Sequence, residues 1–92
     1  MTPKRVDANQ AQIVKELRQI GFSVLCIHEI GRGAPDILVA HLGINYLFEI
    51  KDPVQVPSQR KLTPDEARWH ARWKGQVAIV HSVKEILDRI SK

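Results

Sequence analysis

Three residues of this 92-residue chain have types and spacing that could do chemistry together: Asp36, Glu49 and Lys51. Successive side chains on a strand face opposite ways, so Glu49 and Lys51 project from one face with Ile50 between them. Two ionisable side chains closing an apolar run are costly unless they are solvated or employed. Asp36 follows Pro35 and opens the preceding apolar run. A hairpin turning through 42–45 sets position 36 opposite 50 or 51, so the three groups converge at one end of a two-strand ribbon. Two carboxylates suit a hard cation such as Mg²⁺, which keeps several waters and would contact a phosphate. Such an ion lowers the pKa of a bound water and offsets charge growing at phosphorus. A lysine alongside can orient that water or stabilise the same charge. The pattern suits phosphodiester hydrolysis. Taken singly, Glu-x-Lys is an ordinary surface pair and an aspartate after proline an ordinary turn or capping residue. Only the combination, set in the right order of elements, carries weight.

The elements that must position these residues read helix, strand, strand, strand, helix, strand, helix. The first helix is expected to open at Asp7, with Gln10 three residues on at capping-box spacing. Ile13, Val14, Leu17 and Ile20 then form one apolar stripe, and Gly21 ends the helix. Gln10 lies one turn before Ile13 and Val14, so its side chain points toward whatever the helix packs on. Residues 22–30 read as a strand, broken by Gly31-Arg32-Gly33-Ala34-Pro35. Residues 36–41 and 45–51 are the second and third strands, and their apolar runs suggest a hairpin central in the sheet. A loop follows over 52–62, with Pro53, Pro57, Ser58 and the basic pair Arg60-Lys61. Thr63-Pro64-Asp65-Glu66 starts a helix as a capping box with proline at its first position. That helix reaches about Lys74 and stops at Gly75. Residues 77–80 are a fourth strand. A last capping box, Ser82 to Glu85, begins a helix with Val83, Ile86, Leu87 and Ile90 on its apolar face.

The composition, 43% hydrophobic and 26% charged, is that of one small folded domain. A chain this size buries only a little over ~60% of its unfolded surface, so an oligomer interface would help it. No apolar run approaches the ~20 residues of a membrane span, and nothing at the start reads as a secretory signal. A single cysteine, Cys26, allows no internal disulfide, which fits a reduced, cytoplasmic protein. The net charge of +4 has the sign that suits a nucleic-acid partner. The four histidines show no zinc-ligand spacing on one helix, Gly31 and Gly33 lack a phosphate-loop pattern, and no nucleophile motif is visible. Small-molecule cofactor chemistry has no signature here.

The strings Gly33-Ala34-Pro35-Asp36-Ile37-Leu38-Val39 and Leu47-Phe48-Glu49-Ile50-Lys51, in this element order, resemble the PD-(D/E)XK nuclease signature. The compact size and the Leu62-Thr63-Pro64 helix start are similar to stand-alone VRR-NUC domains, often phage-encoded, and to Holliday-junction resolvases. The resemblance runs from about Asp7 to Ile90. It implies an α/β, restriction-endonuclease-like core of order α-β-β-β-α-β-α, with a mixed central sheet flanked by helices. It implies a homodimeric endodeoxyribonuclease of replication, repair or recombination that requires Mg²⁺, with Mn²⁺ substituting. Asp36, Glu49 and the backbone carbonyl of Ile50 would hold the metal, and Lys51 would complete the catalytic set. A chain this short has no room for a sequence-reading domain, so selectivity for branched, flapped or nicked DNA is expected.

Two departures stand out. Many relatives carry an acid on the first helix where this chain offers Asn9, Gln10 and Gln12. An amide oxygen there could support a metal or its water but brings no charge. The VRR-NUC pattern also commonly has a glutamine on the helix after the motif, where Glu66 stands here; it shares a face with Trp69, His70 and Trp73. Its place in the capping box explains it as well as a role at the site does. Arg32, Arg60 and Lys61 flank the motif on loops and are the candidate phosphate contacts. Arg68 and Arg72 read as solvated surface, and the tryptophans as core or dimer interface. The missing first-helix acid also leaves open an inactive DNA-binding module on the same fold.

Overall fold

The computed structural model describes residues 9–54 and 61–91. Along the chain lie α1 (Gln10–Gln19), β1 (Ser23–Cys26), a 3-10 turn (His28–Ile30), β2 (Ile37–His41), β3 (Ile44–Ile50), α2 (Pro64–Arg72), β4 (Ala78–Val80) and α3 (Val83–Ile90). The four strands form one sheet in the order β1-β2-β3-β4. Neighbours are antiparallel except for the parallel β3–β4 pair. This is the expected mixed α/β architecture, with β2 and β3 central.

Strand periodicity divides the labour. Ile37 and Val39 of β2, Phe48 and Ile50 of β3, and Ala78 and Val80 of β4 form the core with Ile13, Val14 and Leu17 of α1 and Ile86 and Ile90 of α3. Burying a side chain such as Phe48 or Leu17 is worth about 1.5–3 kcal/mol. The alternate residues of β3, Leu47 and Glu49, face the other way, and α2 stands on that side.

Helix ends follow their sequence signals with some shifts. Asp7, the expected first cap, lies outside the described residues; α1 begins after Asn9, whose side chain makes no capping bond. At its end Gly21 takes φ +101°, with Gly21 N–H donating to Arg18 and Phe22 N–H to Leu17. Those paired bonds turn the chain out toward β1 and leave Ile20 exposed rather than on the buried stripe. The Thr63–Glu66 capping box is complete, both reciprocal bonds being present. Ser82 accepts from Glu85 N–H, while the Glu85 carboxylate bonds His81 instead.

Two strand boundaries differ from the sequence expectation. β1 stops at Cys26: Ile27 N–H still reaches the Asp36 carbonyl, but Ile30 N–H then donates to Ile27 C=O and Gly31 N–H to His28 C=O, so His28–Ile30 coil. The β2–β3 hairpin turns on two residues, Leu42 and Gly43, both at positive φ, with His41 paired to Ile44. Shortening the turn from four residues moves the register: Ile37 pairs with Phe48, which brings Asp36 beside Glu49 rather than 50 or 51. Beside the start of β4, the Gln76 side-chain amide both accepts from Leu47 N–H and donates to Leu47 C=O.

Candidate active site

Asp36, Glu49 and Lys51 meet in a cleft of about 410 Å³, lined also by Gly31, Arg32, Thr63 and Glu66. Each arrives by a separate backbone device. Asp36 N–H donates to the Phe48 carbonyl, and its Oδ2 accepts from Ile50 N–H at 2.7 Å, which fixes the carboxylate across the ribbon. Glu49 projects from β3 away from the core and is only 2% exposed. Lys51 follows the strand, its N–H held by the Val80 carbonyl. Its ammonium lies 3.7 Å from Glu49 Oε2 and 2.8 Å from Glu66 Oε1.

Glu66 joins the helix cap to the cleft. Its Oε1 caps Thr63 N–H at 2.9 Å and accepts from Lys51 Nζ. Gly33 makes this possible. At φ +86° it abuts the first turn of α2, and a Cβ there would sit 2.3 Å from the Asp65 carbonyl oxygen. Only glycine lets the loop after the 3-10 turn close onto the helix start. The sequence offered the glycine as a signal, but not the contact it serves.

The electrostatics are those of crowded carboxylates. Burial, then the Asp36 and Glu66 carboxylates, push the Glu49 carboxyl up to about 10. Burial also works against the charge on Glu66, but the Lys51 and Thr63 hydrogen bonds outweigh it and hold that carboxyl below its ordinary range. Burial lowers His70 on α2, with Glu66 opposing and Lys51 adding to the effect. Glu49 Oε1 is buried with no hydrogen-bond partner. A buried acceptor left unmade among repelling carboxylates is the position a cation would satisfy, so the donor set fits a hard divalent ion. Among the described residues no three His, Cys, Asp or Glu side chains form a metal-holding group. An ion of Mg²⁺ type takes one or two carboxylates and completes its shell with water and phosphate oxygens.

The other candidates divide. Arg32 lines the cleft, at φ +56° between two glycines of positive φ. Lys61 is exposed and outside the cleft lining, and Arg60 lies outside the described residues. Gln10 is buried, but its amide pairs with His28 Nδ1 at 3.3 Å. It lines a larger groove of about 670 Å³ with Lys15, Arg18 and Cys26, which holds no carboxylate among the described residues. Asn9 donates to the His81 carbonyl. Neither amide takes the place of the first-helix acid in the cleft lining. Cys26 is exposed. Trp69 and Trp73 stack at 4.6 Å, with Trp73 exposed and its indole N–H donating to the Gln76 carbonyl, so the pair is no part of the core.

No protein-family model matches the sequence, and no curated protein matches it. A solved structure described as a VRR-NUC domain is 28% identical over 89% of each chain, with a TM-score of 0.61. The chain carries the VRR-NUC fold. No described helix is long and apolar enough to cross a membrane.

Proposed function

We propose that this chain is a divalent-cation-dependent nuclease that hydrolyses DNA phosphodiester bonds. The observation that carries the reading is the buried Glu49 carboxylate beside Asp36, whose Oε1 has no hydrogen-bond partner while its Oε2 lies 3.7 Å from the Lys51 ammonium. The VRR-NUC neighbour supports it independently. Asp36, Glu49 and the Ile50 carbonyl would hold Mg²⁺ or Mn²⁺. When bound, the ion supplies an activated water and offsets negative charge on the phosphate. Asp36 is kept in place by the Ile50 N–H, so its free oxygen is preorganised. Lys51 brings its ammonium to the charge that develops on the scissile phosphate, and Arg32 at the cleft wall makes the nearest phosphate contact.

The substrate is DNA with a branch, flap or nick, cut internally by a homodimer. A cleft of this size, with Arg32 exposed at its wall, suits recognition of backbone shape more than of base sequence. A second reading, a binding module without activity, is favoured by one feature: Gln10 is committed to His28 and supplies no charge to the site. One assay separates them. Supercoiled plasmid and a panel of branched oligonucleotides are incubated with the protein in Mg²⁺, Mn²⁺ or EDTA. Cutting in either metal that stops in EDTA and in Asp36→Ala is expected; binding without any cutting would leave the module.

A further inference from the structure

Lys51 is 6% exposed, and an ammonium so buried needs an anionic partner. Among the described residues, the Glu49 and Glu66 carboxylates lie within ion-pair distance of it. Glu49 is the default, two residues back on the same face of the strand. A lysine bonded there would neutralise the carboxylate that must receive a cation. The ammonium hydrogen-bonds Glu66 Oε1 at 2.8 Å and keeps only a longer ion pair, 3.7 Å, to Glu49 Oε2. Glu66 wins because it is already placed. Its Oε1 is fixed by Thr63 N–H, the first turn of α2 is pinned against Gly33, and a carboxylate there is favoured by the helix dipole.

We propose that Glu66 is a positioning residue which, by holding the Lys51 ammonium away from Glu49, keeps the buried Glu49 Oε1 open to a divalent cation. This rests on the nuclease reading above. The tether depends on charge: a glutamine at this position keeps the hydrogen bonds but removes the ion pair that offsets the buried ammonium. Freed, the ammonium moves onto Glu49 and competes with the ion. Glu66 thus acts on the metal through Lys51, without touching it.

The test is a calorimetric titration of Mn²⁺ into metal-stripped wild type, Glu66→Gln, Lys51→Ala and the double variant. Glutamine also serves in a capping box, so Glu66→Gln retains the helix start, which circular dichroism checks. Glu66→Gln is expected to weaken Mn²⁺ about tenfold more when Lys51 is present than when it is alanine, the scale of coupling between contacting residues. Equal losses in both backgrounds would mean that Glu66 acts on the ion through its own charge, overturning the proposal. No loss in either would overturn it too. Wild type that cuts DNA but shows equal losses defeats only this inference; wild type that binds no Mn²⁺ defeats the nuclease reading with it.

Discussion

The two ends of the β2–β3 ribbon are built on opposite terms. At one end the ionisable Asp36, Glu49 and Lys51 are crowded and largely buried, with an acceptor left unpaired. At the other, Leu42 is 85% exposed at φ +52° and Ile44 is exposed beside it. The first end holds polar cost inside; the second holds apolar and backbone cost outside. Yet the second decides the first. A two-residue turn fixes the pairing of Ile37 with Phe48, and a slip of one residue would swing Glu49 to the core face. Chemistry at one end depends on geometry set at the other.

The largest effects are expected at the charged end. Asp36→Ala or Glu49→Ala should abolish DNA cleavage and weaken Mn²⁺ binding in calorimetry, with circular dichroism nearly unchanged. Cutting at the wild-type rate by either variant would remove the site from this cleft. Lys51→Ala should bind DNA and metal yet cut on the order of 10²-fold slower, the scale of losing one preorganised donor. Arginine should rescue poorly, since its planar fork differs in reach from a compact ammonium. A drop in DNA affinity that matches the drop in rate would make Lys51 a binding contact only.

A third contrast lies in pH. The Glu49 carboxyl, ordinarily near 4.5, sits at about 10 in the fold, so the folded state holds its proton more tightly than the unfolded chain. Its contribution to stability is complete below 4.5 and is lost as pH rises toward 10. In EDTA the melting temperature should therefore fall over that window, and Mg²⁺ should flatten the fall by taking the proton's place. A flat profile in EDTA would show that Glu49 ionises freely. The smallest effect belongs to the tip. Leu42→Asn suits the left-handed backbone of a two-residue turn and should stabilise by roughly 0.5–1 kcal/mol in urea unfolding, with cleavage unchanged. A loss of cleavage there would show that the tip serves the substrate as well as the register.

Much of this was legible before the fold. The order of elements, the caps at Thr63 and Ser82, the glycine stop at Gly21, and the shared face of Glu49 and Lys51 all follow from local spacing. What escaped depends on distance in sequence. Leu42-Gly43 lacks the Asn-Gly signature of a tight hairpin, so local spacing favours a four-residue turn, which places Asp36 opposite 50 or 51. The pairing of Glu66 with Lys51 spans fifteen positions and requires the approach that Gly33 allows. Gln10, inward as its spacing implied, turned to His28 because β1 ends early and coils beneath it.

The Gln76 amide on Leu47 has a consequence for behaviour in a crowded solution. A side-chain amide presents the same donor and acceptor as a peptide group, so it fills the rung that the short strand β4 leaves on β3. Unfilled, that rung would invite a foreign strand to continue the sheet. Gln76 closes that rung with a single side chain, so a strand from another molecule finds no free peptide pair at Leu47.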